Sequence, residues 1–305
     1  MGTMTRAQFA KSLQDGLNGH FGLEYDEHPE EWSQVFDVDT SQKAFEEDQL
    51  LVGFGYASEK PEGGEYGSDE GGEGWTKRFT HRTVALSFDV TEEAIEDNRY
   101  MNIGQKYSRA LARSMRQTKE VYAANVFNYA GDASRKGGDG VSLLSTSHPL
   151  AGGGVGSNML ATPADLAEDS LEQALIQVRK CTDDRGLPKM LKAMKLVISP
   201  ENEYNAERIL SSTHRAGTDH NDINALNRKG VFKSDPVVLT NLTDSDAWFI
   251  KTNCPDGLKM INRTKMVMPK VTIDPRTGNF CYRARERYSE GHTDWRGVFG
   301  SMGAA

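Results

Sequence analysis

Apolar and polar positions follow three different rhythms along this chain. Two short runs, Leu50 to Tyr56 and Trp75 to Phe88, are rich in aromatic and β-branched residues and predict strands. Between them Glu59 to Gly74 is almost entirely glycine and carboxylate, with no apolar run to order it against its own domain. The pattern predicts a two-stranded arm with an acidic tip. An isolated two-stranded arm is marginally stable, so such an arm makes sense when a neighbouring subunit supports it.

A helical rhythm follows. Asp89 and Thr91 are N-cap candidates, with Glu92 and Glu93 suited to the first turn. Tyr100, Ile103, Tyr107, Ala110, Leu111, Ser114, Thr118, Val121, Tyr122 and Asn125 recur at steps of three and four, with Arg109, Arg113, Arg116, Lys119 and Glu120 on the other faces. Unbroken from Thr91 to Ala130, this helix spans roughly 60 Å, with Gly104 its weak point. The stripe lacks the sustained heptad of a coiled coil.

After the glycine-rich stretch 131–140 the rhythm alternates between helix and strand. Thr162 as N-cap and Pro163 open a helix whose buried face is Leu166, Leu171, Ala174, Leu175 and Val178, running to about Asp184. Met194 to Ser199, Val237 to Leu239 and Trp248 to Ile250 predict strands, with a short helix from Pro200 to Leu210 and a polar loop from His214 to Asn224. This alternation predicts a mixed sheet flanked by helices. Lys265 to Tyr288 reads as a hairpin turning at Asp274–Asn279, with Arg283, Arg285 and Arg287 pointing outward between Tyr282, Ala284, Glu286 and Tyr288. Residues 1–49 are polar and acidic with scattered aromatics (Phe9, Phe21, Tyr25, Trp32, Phe36, Phe45), and read as an extended arm with a short helix over Thr5–Leu17.

At 305 residues the chain is long enough for one large or two modest domains. Its formal net charge of −8 argues against a surface built to grip phosphates. No apolar stretch is long enough to span a membrane, and the N-terminus lacks the apolar core of a secretory signal. Cys181, Cys254 and Cys281 lack CxxC spacing and read as reduced, structural thiols.

Candidate chemistry is thin. His214 and His220 share a loop with Asp219 and Asp222, where a surface cation could sit. Ser145-Thr-Ser-His148 puts hydroxyls beside an imidazole without a nucleophile elbow, and reads as a turn ending at Pro149. The glycine clusters at 137–140 and 152–156 have neither phosphate-loop order nor a strand before them. No catalytic, cofactor or metal site is assigned, and the chain reads as a non-enzyme.

The order of parts, with Ala110-Leu-Ala-Arg-Ser-Met-Arg-Gln-Thr-Lys-Glu120, Ala123-Ala-Asn125, Asp139-Gly140, Ser145-Thr-Ser-His-Pro149 and Gly156-Ser-Asn158, resembles the major capsid proteins of tailed bacteriophages. Ser199-Pro200, Ala206-Glu-Arg208, Asn221-Asp-Ile-Asn224, Asp246-Ala-Trp-Phe249, Arg283-Ala-Arg-Glu-Arg-Tyr288, Thr293-Asp294 and Arg296-Gly297 continue the match, which is closest to the Mu-like major head subunits. The resemblance covers the chain from about residue 35 onward and implies an α+β, HK97-like capsid fold. It divides the chain into an N-terminal arm (1–49), an extended hairpin loop (50–88, tip 59–74), a spine helix of a peripheral domain (89–130), an axial domain (131–262) and a return to the peripheral domain (263–305).

Function follows from that resemblance: hexamers and pentamers of an icosahedral shell, assembled in the host cytoplasm around double-stranded DNA that is enclosed without specific binding. With about 50 residues before the loop, scaffolding is expected from a separate protein or a missing piece, and a portal is implied. Glu62, Glu65, Asp69, Glu70 and Trp75 of the arm, with Arg283, Arg285 and Arg287, are the expected assembly contacts. Some members crosslink a loop lysine to a neighbour's asparagine. Lys60 and Lys77 lie in the right region, but the sequence identifies no partner asparagine or catalytic glutamate. An encapsulin-like compartment is the alternative within the fold. A soluble α/β hydrolase or metal-dependent enzyme, with a pocket lined by His148 or His214, is the alternative outside it.

Overall fold

The computed structural model describes residues 30–93, 100–214, 222–232, 234–269 and 272–304, with the backbone alone at 100–105. The expected helix over Thr5–Leu17 and most of the His214–Asn224 loop lie outside the described residues. Strand β1 (Asp37–Thr40) is followed by β2 (Phe45–Val52), β3 (Gly72–Thr80), β4 (Arg82–Val90) and the long helix α1 (Tyr100–Asn128). Short strands β5 (His148–Pro149) and β6 (Val155–Gly156) precede α2 (Glu168–Lys180), β7 (Ala193–Ile198), α3 (Glu203–Ser211) and α4 (Ala225–Lys229). The chain ends through β8 (Val237–Val238), β9 (Trp248–Thr252), β10 (Leu258–Val267), β11 (Thr272–Ile273), β12 (Phe280–His292) and β13 (Val298–Ser301).

Two sheets organise the body. The first runs β1-β10-β12-β11, with β4 on the free side of β12; the second runs β13-β9-β7-β8. The second sheet is buried on both faces. Leu196, Ile198, Trp248, Ile250 and Phe299 point toward α2 and α3, while the intervening Val197, Phe249 and Val298 join Phe127 of α1 and Trp32 and Phe36 of the N-terminal segment. A strand covered on both faces has no polar side, hence the unbroken apolar runs Leu196–Ile198 and Trp248–Ile250.

Several expected elements are redrawn. The run from Trp75 to Phe88 is two strands. It divides at His81, with β3 pairing β2 to make the arm and β4 leaving for the main sheet, where Arg82 lies opposite Tyr288 and Val90 opposite Phe280. The arm's first strand begins at Phe45, inside the expected N-terminal segment. The helix at residue 168 starts well after Thr162. Ser301 Oγ accepts the Ala164 amide and the Trp248 indole donates to the Ala164 carbonyl, so residues there bond to the second sheet. Ser170 Oγ then accepts the Ala167 amide at the true helix start. Strand β10 runs through the expected 262/263 boundary, and β13 returns to the second sheet from the far side of it.

Helix α1 covers 29 residues, about 43 Å at 1.5 Å per residue, and passes Gly104 as helix. Its buried face is one position away from the predicted stripe. Leu111, Ala112, Met115, Arg116, Lys119, Glu120, Ala123, Ala124 and Phe127 are buried, whereas Tyr107 and Val121 are exposed. The three charged residues on that face have partners. Arg116 reaches Glu30 at 3.3 Å, Lys119 reaches Glu286 at 2.5 Å, and Glu120 accepts the Glu31 and Trp32 amides at 3.1 and 3.0 Å. Paired charges of this kind are compatible with burial, and hydropathy alone does not reveal them.

Candidate interaction surface

The arm is anchored at its base and bare at its tip. Phe79 is buried, and the Trp75 indole, half-buried, donates to the Thr293 carbonyl at 3.0 Å. A side chain at Gly138 would meet the Trp75 ring at 2.6 Å, so a residue expected in a contact between copies is seated within the subunit. Beyond the Val52–Gly72 pair, the loop carries Phe54 (62% exposed), Tyr56 (74%) and Tyr66 (86%), and Leu51 on the flanking strand is 74% exposed. Glu62, Glu65 and Glu70 lie exposed among them. Asp69 accepts from the Gly55 amide and pairs with Arg185. The Arg185 guanidinium and that amide hold its carboxyl down at about 2.

Strand β12 alternates as its sequence predicts. Tyr282, Ala284, Glu286 and Tyr288 are buried, Arg283 and Arg285 are exposed, and Arg287 is half-buried. Arg283 and Arg285 line an open groove of about 580 Å³ with Ala85, Leu86, Ser87 and Pro269. Within the subunit this basic row and the acidic loop are not brought together. The cation that meets the loop is Arg185, from the turn after α2, which sequence reading did not single out.

Among the described residues His148 holds a structural position. His148 is fully buried and stacks on Trp295 at 4.4 Å, with Nδ1 at 2.6 Å from Asp139 and Nε2 at 3.1 Å from Asn158 Oδ1. Both ring nitrogens are thus engaged, and neither faces Ser145 or Ser147. Among the described residues no group of three histidine, cysteine, aspartate or glutamate side chains is placed to hold a metal ion. His214 is exposed; Asp219 and His220 lie outside the described residues. Cys181, Cys254 and Cys281 are free, and burial pushes the Cys181 thiol to about 11 and that of Cys254 to about 12. No described helix is long and apolar enough to cross a membrane.

Two buried groups titrate in opposite senses. Burial, with Lys77 facing it, pushes His292 down to about 4; Asp139, His148 and Asp294 also face it. A depressed histidine stabilises the fold fully above its unfolded value near 6.5 and loses that contribution as pH falls toward 4. Burial instead raises Glu120 to about 7, against the Trp32 and Glu31 amides, so its contribution is lost as pH rises from about 4.5 through 7. His292→Gln is expected to remove about 3 kcal/mol of the pH dependence between 6.5 and 4. Urea unfolding at pH 7 and pH 4.5 checks it, and an unchanged difference from wild type would contradict the assignment.

A family model described as phage capsid protein matches residues 75–300. A search of curated proteins finds no match. In structure, the chain is similar to the capsid of an empty GTA particle, at 12% identity, a TM-score of 0.55 and 90% of each chain covered. It is also similar to a protein of Mycobacterium phage Adephagia, at 12% identity, a TM-score of 0.55 and 91% of each chain. A third likeness, to the procapsid of bacteriophage JBD30, has 15% identity and a TM-score of 0.53, covering 98% of this chain and 76% of that one. At such identities the structural likeness speaks for the fold.

Proposed function

The chain belongs to the phage capsid protein family, and on that premise we propose that its arm is the device by which copies join into the shell of a Mu-like phage head. It is a major capsid subunit with the α+β, HK97-like fold. The observation that carries the arm's role is the exposure of Leu51, Phe54, Tyr56 and Tyr66 on one slender projection. Large apolar side chains grouped in this way are a recurrent mark of protein–protein contact. Glu62, Glu65 and Glu70 surround them, and the exposed Arg283 and Arg285, with Arg287 beside them, offer a row of opposite sign on a copy's main sheet. Exposed pairs of this kind set register more than affinity.

The body built on the second sheet, residues 131–257 with β13, is the lobe proposed to face the five- and six-fold axes, and the first sheet with α1 is the periphery. A separate scaffold and a portal belong to the same proposal. So does double-stranded DNA held inside without specific binding, for which a net charge of −8 is suited. The family match favours this reading over an encapsulin-like compartment, and the contents of purified particles separate the two.

The test is negative-stain microscopy with a sizing column, on the protein alone and co-expressed with the scaffold. Shells, tubes or capsomer rings are expected. A compact monomer under every condition, scaffold included, would overturn the proposal.

A further inference from the structure

The buried contact between α1 and the first sheet brings a lysine, a carboxylate and a carboxamide together. Lys119 Nζ, on a side chain only 5% exposed, lies 2.5 Å from Glu286 Oε1 and 3.1 Å from Asn262 Oδ1. The three residues come from three elements: α1, β12 and β10. Trp32 and Tyr288 close the site, their rings centred 4.6 and 5.1 Å from Nζ. Glu286 is 2% exposed, and its second oxygen, Oε2, is buried without a hydrogen-bond partner. The β10–β12 ladder loses register immediately after the Asn262–Tyr288 pair. Such irregularities commonly re-aim a side chain beside a reactive site.

A buried primary amine and carboxyl group, with a half-buried carboxamide hydrogen-bonded to the amine, are the reactants and the acid–base catalyst of amide exchange. We propose that Lys119 and Asn262 form an isopeptide bond within the subunit, with Glu286 as the proton carrier. Glu286 Oε1 takes a proton from the Lys119 ammonium across the 2.5 Å hydrogen bond, leaving a neutral amine beside the carboxamide. Nζ attacks Asn262 Cγ. The protonated Glu286 carboxyl steadies the developing oxyanion, then delivers its proton to Nδ2. The Cγ–Nδ2 bond breaks as the Nζ–Cγ amide is completed. Ammonia leaves, and Glu286 takes the remaining amine proton and ends as a neutral acid. No oxidant, metal or other reactant enters, and a buried charge pair is exchanged for a neutral amide and a neutral carboxyl group.

The bond would tie the spine helix to the main sheet across 143 residues of chain. It differs from a crosslink between copies, since all three groups belong to one subunit, and it does not depend on the assembly reading.

Intact mass spectrometry of the full-length protein tests it. The wild type is expected to weigh less than its sequence by one ammonia, and digestion to yield one branched peptide joining Lys119 to Asn262. On a denaturing, reducing gel the closed loop is expected to run ahead of Glu286→Gln and Asn262→Ala, both at full sequence mass. A folded wild type at full sequence mass, before and after assembly, would overturn the proposal. So would an ammonia loss that maps elsewhere. Because the wild type carries the decisive measurement, a variant that fails to fold does not blunt it. Glu286→Gln that still forms the branched peptide would remove Glu286 from its role.

Discussion

Arg296→Met is expected to cost about 3–5 kcal/mol of subunit stability, among the largest single-residue losses in this fold. Arg296 is fully buried, and its guanidinium serves three groups at once. It donates to the Thr182 carbonyl at 2.9 Å, to Asp184 at 3.2 Å and to Asp294 at 3.3 Å. Methionine has comparable length, so little cavity opens, and the loss comes from carboxylates left buried without their cation. Asp294 keeps a second cation. Burial pushes its carboxyl up, and the Lys189 and Arg296 cations outweigh that and hold it below the usual range. Lys189, at 2.5 Å, remains in the variant, while Asp184 loses the only ion-pair partner described for it. Adding Asp184→Asn to Arg296→Met is therefore expected to recover part of the loss, a non-additivity that urea unfolding of the single and double variants measures. Simple addition of the two losses would mean that the cation and the carboxylate do not act as a pair.

The network around Arg296 also marks where sequence reading stops. Strands covered on both faces were legible because burial removes every polar position, as in Leu196–Ile198 and Trp248–Ile250. Strand β12 was legible for the opposite reason, its arginines alternating with buried aromatics. The arm was legible from composition, since glycine and carboxylate cannot form a core. Partnership between distant residues left no trace. Arg116, Lys119 and Glu120 read as solvent-facing because each is charged, and that displaced the helix's buried face by one position. The residues that neutralise Lys119 lie 143 and 167 positions away, so no local pattern could place them together. Strand β10, with Lys259, Asn262, Arg263 and Lys265 among its apolar residues, was partly missed for the same reason. Asp69 belongs to the acidic loop that composition marked, yet its cation within the subunit, Arg185, belongs to a turn that shows nothing unusual in sequence.

Removing the arm's tip is expected to abolish shell closure while leaving the subunit folded. Val52 and Gly72 are already paired across the arm, so excising residues 54–70 joins Gly53 to Gly71 as a two-residue turn. Two glycines suit the left-handed backbone that such hairpin turns require. The tip's described tie to the body is the exposed Asp69–Arg185 pair, whose loss costs the fold little. The loss falls on contacts between copies. Burying each of Phe54, Tyr56 and Tyr66 against a neighbour is worth about 1.5–3 kcal/mol, so the excision removes several kcal/mol from every contact. At about 1.4 kcal/mol per tenfold, each contact weakens by roughly three orders of magnitude or more. A shell repeats the deficit at every subunit, which turns a weakened contact into failed closure. Replacing Phe54, Tyr56 and Tyr66 together by serine should reproduce most of the defect with every carboxylate in place. Neutralising Glu62, Glu65, Asp69 and Glu70 should give a milder effect that is already mimicked by raising salt. Microscopy and sizing report closure, and thermal unfolding of the purified subunit reports the fold. Normal shells from the excised protein would show that the arm is dispensable, and assembly would then have to be sought on the faces of α1 and the main sheet.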